Sequence, residues 1–416
     1  MLALLRRRDF GLLWLGGFVS VAGDWVLNVA LPFFVFERTG STVATAGMIV
    51  AELVPGVVLG TVAGVFVDRW NRKRVLVLGN LLAAATVALL LLVPGGGWLG
   101  LVYVVAVAQA SVAAFMIPAE SALLPSLVDD RDLVAANALN ALNNRLGRLI
   151  GVPLGGALLG FIGLSAVVVV DCASFVLAAL LIVPIVAPAR PAAQKDESAA
   201  EAARSALGLF VSDWVGGLRI IRRERTIAVI FVVFGLMTFG GTMLDPLYVA
   251  WVRETLDRGP EVYSWLLTTH ALAGIAGTLI VGRFGARLTP RVLMGWTSLF
   301  AGVANAVKFN VPSLSVALAI TVTVGITSVA SAVGVETLAQ RGVPDHYRGR
   351  VFGALGASGA LLSLLGALVG GTLAAIVGIV PMLDVSCALI ALSGIVVLRT
   401  LRGHEAADRP RVTAPA

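Results

Sequence analysis

Long, uninterrupted apolar runs constrain this chain more than any other feature. The first extends from Gly11 to Phe36, and similar runs follow almost to the end, separated by short polar breaks. A helix of about 20 predominantly apolar residues crosses the hydrocarbon core of a bilayer. Twelve segments meet that length: 11–36, 43–67, 75–93, 98–118, 141–163, 165–187, 226–249, 264–282, 291–309, 312–334, 351–378 and 380–400. The last two are fused in hydropathy, with Gly378 and Pro381 as the expected turn. Strands of a membrane barrel alternate over about ten residues, and these runs do not. The expectation is an all-α membrane protein with twelve transmembrane helices.

Composition excludes the main alternatives. The chain is 58% hydrophobic and 13% charged, with a mean hydropathy of +0.94; soluble domains carry about 25% charged residues. The formal charge of +7 comes from residues that punctuate apolar segments and form no patch, so nucleic acid is not an expected partner. Cys172 and Cys387 lie inside apolar runs and offer neither a disulfide framework nor a metal site. Arg6, Arg7 and Arg8 precede the first run as in a secretion signal. That run is too long for a signal core and has no convincing cleavage site after it, so it reads as the first span.

Placing both termini in the cytoplasm puts all but four of the 31 Lys and Arg at or near that side. The exceptions are Arg38, Arg253, Arg258 and Lys308, an asymmetry that obeys the positive-inside rule. The expected location is a bacterial-type inner membrane. One long break, 188–225, divides the spans six and six. It begins Ala-, Pro- and charge-rich, then Ser212, Asp213, Trp214, Leu218, Ile220, Ile221 and Arg222 read as a short amphipathic helix on the membrane face. The expected organisation is a six-helix bundle over 1–187, a cytoplasmic linker over 188–225, a second bundle over 226–400 and a tail over 401–416.

The halves carry an internal repeat. Gly64 to Leu76 reads GVFVDRWNRKRVL and Gly282 to Leu293 reads GRFGARLTPRVL. A shift of 218 residues pairs Gly64 with Gly282 and Arg69 with Arg287; Pro125 pairs approximately with Pro344, and Gly155-Gly156 with Gly370-Gly371. Parallel six-span halves are a transporter arrangement.

At these residues the chain resembles the major facilitator superfamily. The G-x-x-x-D-R-x-G-R-[KR] pattern after span two is met by Gly64, Asp68, Arg69, Arg72 and Lys73, with Asn71 in place of the usual Gly. Asn tolerates the left-handed geometry of a tight turn. The second copy lacks the acid, with Ala286 at its position. Phe10–Leu15, Gly23-Asp24-Trp25, Leu31-Pro32, Glu52–Pro55, Val67–Trp70, and Pro344-Asp345 with Arg348-Gly349-Arg350 resemble a subgroup of macrolide and siderophore exporters. The resemblance implies two pseudo-symmetric six-helix bundles. It also implies that Asp68 latches the halves near the start of span eleven and Arg350. The other reading of the basic cluster is topology alone, which leaves the acid without a role. Span five is similar to the antiporter pattern G-x-x-x-G-P-x-x-G-G through Gly147, Gly151, Gly155 and Gly156, with Pro153 displaced by one.

Ionisable residues within spans are costly and point to function. Gly17, Ser20, Asp24 and Asn28 recur at helical spacing and form one polar stripe on span one. Such a stripe faces a cavity or a partner helix. Glu52 fits the cavity or an interhelical pair equally. Arg145 and Arg148 share a face of span five, where they pair Asp24, attract an anion or snorkel to the interface. His270 in span eight is a proton relay or a structural histidine. Trp14, Trp25, Phe231, Phe234 and Phe239 line an apolar site or simply pack.

No phosphate loop, metalloprotease motif or nucleophile elbow occurs, so neither ATP-driven transport nor enzyme chemistry is expected, and no cofactor. The resulting expectation is a monomeric secondary transporter in the lipid bilayer, exporting hydrophobic or amphiphilic small molecules in exchange for protons. The alternatives are a nutrient or organic-anion importer and a membrane-embedded lipid-handling protein.

Overall fold

A computed structural model describes residues 2–94, 98–186, 208, 225–285, 288–343 and 347–400. The expected linker helix around Ser212–Arg222, the pair Pro344-Asp345, the repeat residues Ala286 and Arg287, and the tail 401–416 lie outside them.

Among the described residues the chain forms twelve long helices and no strand. The first six are α1 (Arg8–Thr39), α2 (Thr42–Arg69), α3 (Arg72–Ala88), α4 (Gly100–Leu123), α5 (Leu133–Phe161) and α6 (Leu164–Ile182). The rest are α7 (Arg225–Ala250), α8 (Pro260–Phe284), α9 (Pro290–Asn310), α10 (Leu314–Gly342), α11 (Arg348–Val377) and α12 (Ile379–Thr400). Eleven are long and apolar enough on their own to cross a membrane. The exception is α5, whose Asn137, Asn140, Asn143, Asn144, Arg145 and Arg148 lower its hydropathy. A helix that polar is stable in a bilayer when its polar face meets protein or water.

Local chemistry sets the helix ends. Ser41 caps α2 by accepting from the Ala44 amide at 3.2 Å, and Thr289 with Pro290 opens α9. Gly163, between α5 and α6, has φ +104°, and Gly378, between α11 and α12, has φ +101°. The two turns occupy corresponding places in the two halves, in a conformation that L side chains avoid. The expected turn at Gly378 is present, while Pro381 falls in the first turn of α12, where its missing N–H costs nothing.

The chain folds as two compact units, and residues Asp245–Thr268 belong to the first. In that unit α1 packs on α5 and α6, α2 on α4, and α3 on α4 and α6. The second unit repeats the set six helices later: α9 packs on α10 and α12, α7 touches α11 at Gly366 and α12 at Gly240, and α8 meets α10 at Gly325. This recurrence is the structural form of the sequence repeat.

Glycine makes the α1–α5 contact close. A Cβ at Gly147 would lie 2.7 Å from Val21 Cγ1, and one at Gly151 would lie 2.6 Å from Trp25 Cβ. Gly155 abuts the Val26 backbone in the same way. Residues four apart share a helix face, so these three form one flat strip against α1. Gly156 and Gly160 face the other way, onto Ser264, Pro260 and Glu261. The 245–268 segment is further held by Tyr263 against Phe33, with ring centroids 5.9 Å apart, and by Arg253 Nε 3.8 Å from Glu37 Oε1.

Candidate functional site

In the first unit, residues of α1 to α6 line a cavity of about 570 Å³. Asp24, Asn28 and Ser20 enter it from α1, Glu52 from α2, Asn80 from α3, and Gln109 and Glu120 from α4. Asn140 and Asn144 contribute from α5, and the remaining wall is mostly apolar. The polar stripe of α1 therefore faces a cavity. Its lining holds three carboxylates and no Lys, Arg or His.

The uncharged polar groups are largely tied to the frame. Asn80 donates to the Leu76 carbonyl at 2.8 Å and faces Ser20 Oγ across 3.4 Å. Gln109 donates to the Ala83 carbonyl at 2.9 Å, joining α4 to α3. Behind the lining, Asn143 donates to the Trp14 carbonyl at 2.6 Å, and Trp14 returns a bond to the Leu139 carbonyl at 2.9 Å. That reciprocal pair fixes the register of α1 on α5. Trp14 is thus a structural residue, stacked on Phe18 with centroids 5.7 Å apart.

Other expected residues fall elsewhere. Arg145 is exposed and is absent from the cavity lining. Arg148 lies over Trp25, a lining residue, with its guanidinium carbon 4.5 Å from the ring centroid. Its electrostatic partner is Asp245 at the end of α7, which also acts on Glu52. His270 belongs to the second unit, where its backbone packs against Gly325. Phe231 and Phe234 pack into a core cluster with Ile227, Ile230 and Leu355.

At the α2–α3 junction, Arg72 Nη2 lies 3.9 Å from Asp68 Oδ1, and Arg72 Nη1 donates to the Ala122 carbonyl at 2.6 Å. Arg69 is exposed and Lys73 half-buried, while a Cβ at Gly64 would meet nothing within 4 Å. Arg350 stands exposed in the first turn of α11. Asn71 corrects one expectation. Its φ is −73°, not left-handed, and its side chain accepts from the Arg74 amide as the N-cap of α3. A side chain that caps a helix replaces the need for a flexible glycine.

Glu120 and Asp245 escaped the sequence reading. Both interrupt apolar runs; hydropathy ends the fourth span at 118, two residues short of Glu120, whereas α4 continues to Leu123.

The family model described as transmembrane secretion effector matches residues 1–414. The chain is 27% identical to the multidrug efflux pump Tap of Mycolicibacterium fortuitum, over 97% of this chain and 99% of that one. It is 23% identical to macrolide efflux protein A of Streptococcus pyogenes, over 90% and 91%. The structure of the nucleoside transporter NupG superposes with a TM-score of 0.73 at 13% identity, covering 93% of this chain and 97% of that one, which establishes the shared fold. The repeated packing, the carboxylate-lined cavity between membrane helices and the full-length family match together make this chain a transporter of the transmembrane secretion effector family, within the major facilitator superfamily.

Proposed function

We propose that the protein exports hydrophobic or amphiphilic small molecules in exchange for protons, from an inner membrane with both termini cytoplasmic. The carrying observation is the cavity itself, whose charged lining groups are all acids: Asp24, Glu52 and Glu120. An ionised carboxylate in a membrane interior is expensive, and a proton removes that charge. Two facing states that differ in proton occupancy are thereby biased against each other. Asp24, midway along α1, is the coupling group, with Asn28 one turn away. The names of the efflux relatives support the outward direction. The Asp68 cluster with Arg350 is the latch between conformations of the two six-helix bundles.

Asp24→Asn mimics the protonated acid permanently. Purified variant should still bind a macrolide such as erythromycin, while vesicles with an imposed pH gradient lose gradient-driven transport. Undiminished transport by Asp24→Asn sinks the assignment and moves it to Glu52 or Glu120. Uptake of the compound by intact cells in place of its expulsion reverses the direction.

A further inference from the structure

The cavity of the first unit changes character along α4. Ala110, Ala113, Met116 and Ile117 line it as an apolar panel that starts beyond Gln109 and runs up to Glu120. These residues recur at intervals of three and four, so one face of the helix presents them all. An acid closes the panel. Across from it on α1, Gly17 leaves the wall open. A Cβ there would lie 3.7 Å from Glu120 Oε1 and 3.4 Å from Asn143 Nδ2. The Glu120 carboxyl thus reaches α1 at a point where that helix has no side chain. Its polar neighbour is Asn140, a neutral amide of α5 that also lines the cavity.

No cation compensates this acid. The other helices contribute Asp24 from α1, Glu52 from α2, Asn80 from α3 and Asn144 from α5. Among the described residues, none of the three acids forms an ion pair, and Asp24 and Glu52 accept no hydrogen bond. The amides are occupied differently: Asn80, Gln109 and Asn144 each donate to a main-chain carbonyl of the frame. The unpartnered charge facing this space is entirely negative. A carboxylate without a counter-ion in a membrane interior is costly, and a ligand cation offsets that cost. An anion meets like charge and is rejected. The volume of about 570 Å³ lies within the range of small-molecule sites, about 300–1,000 Å³. Gly17 and Asp24 are seven residues apart on α1, or about 10 Å along its axis. A cation at Glu120 therefore leaves Asp24 to its own proton.

We propose that the cavity recognises amphiphilic organic monocations, such as protonated amines, with Glu120 holding the cationic end and the α4 panel bedding the apolar body. The assignment rests on reading this cavity as the substrate site, and it narrows the substrate class from amphiphiles in general to cations. Gly17 is a positioning residue that keeps the α1 side of Glu120 clear.

The test uses two probes of one shape and opposite charge, tetraphenylphosphonium and tetraphenylborate. Binding to the full chain in lipid nanodiscs is measured by equilibrium dialysis, with the uptake of empty nanodiscs subtracted. The wild type should bind the cation saturably and the anion about tenfold or more weakly. Glu120→Gln keeps the size and removes the charge. It should weaken the cation about tenfold and leave the anion unchanged or tighter. Equal affinity for both probes in the wild type overturns the proposal without any variant. So does an unchanged cation affinity in Glu120→Gln, or a parallel loss of both probes, which would make Glu120 a structural residue. Gradient-driven export of tetraphenylphosphonium from vesicles is read separately. Its absence beside Glu120-dependent binding defeats proton exchange and leaves the recognition in place.

Discussion

The guanidinium of Arg148 stacks 4.5 Å from the Trp25 ring and lies within electrostatic reach of Asp245. One arginine on α5 therefore packs on the cavity wall of α1 while its charge acts on the acid near the end of α7. A cation over an aromatic face at a partly exposed site contributes about 0.5–1 kcal/mol. Arg148→Lys keeps the charge but loses the planar stack. A double-mutant cycle of Arg148→Lys with Trp25→Leu, read from unfolding in detergent, should return a coupling of about that size. Strict additivity would mean that the stack contributes nothing.

Two glycines of the family pattern should respond oppositely to the same methyl group. Gly151→Ala drives a Cβ into the Ala22 carbonyl and Trp25, an overpacking that costs about 1–3 kcal/mol. Gly64→Ala meets only open space, and alanine is the better helix former by about 1 kcal/mol. Thermal unfolding of the two variants should fall on either side of the wild type. Equal destabilisation would place Gly64 in a contact that the structure does not contain.

Asp68 is 67% exposed, and its bridge to Arg72 is long. Exposed ion pairs contribute about 0–1 kcal/mol, so Asp68→Asn should leave the melting temperature nearly unchanged. Transport should nevertheless collapse if the acid serves as the latch between conformations. Normal transport at wild-type expression would reduce the cluster to a topology signal.

Asn71 caps α3 through its side-chain oxygen. Asn71→Ala should destabilise the protein by about 1 kcal/mol, and Asn71→Gly by only a few tenths. Circular dichroism melts of both variants check the order. A larger loss for Gly than for Ala would show that the turn, not the cap, governs this position.

Apolar run length made the helices legible, because transfer into hydrocarbon depends on local composition alone. The turn at Gly378 was readable for the same reason: it is a short stretch of sequence. The cavity was readable on one helix, where Ser20, Asp24 and Asn28 share a face. What joins them was not. Glu120 lay beyond a boundary drawn from hydropathy, although a helix continues past the point where its residues stop being apolar. How Asp171 of α6 seats against α1 depends on the absent side chain of Gly23. Arg145 and Arg148 share a helical face in the sequence, yet only Arg148 finds an aromatic ring. Such pairings arise from how neighbouring helices pack, which spacing along one helix does not contain.

The short links at Gly163 and Gly378 leave almost no slack between α5 and α6, or between α11 and α12. An epitope or protease site spliced into either link would force the paired helix ends apart and report on a damaged hairpin. Labelling of that side of the membrane is better done without lengthening the chain. Phe161, 78% exposed at the end of α5, accepts a cysteine for a membrane-impermeant reagent while the backbone keeps its course.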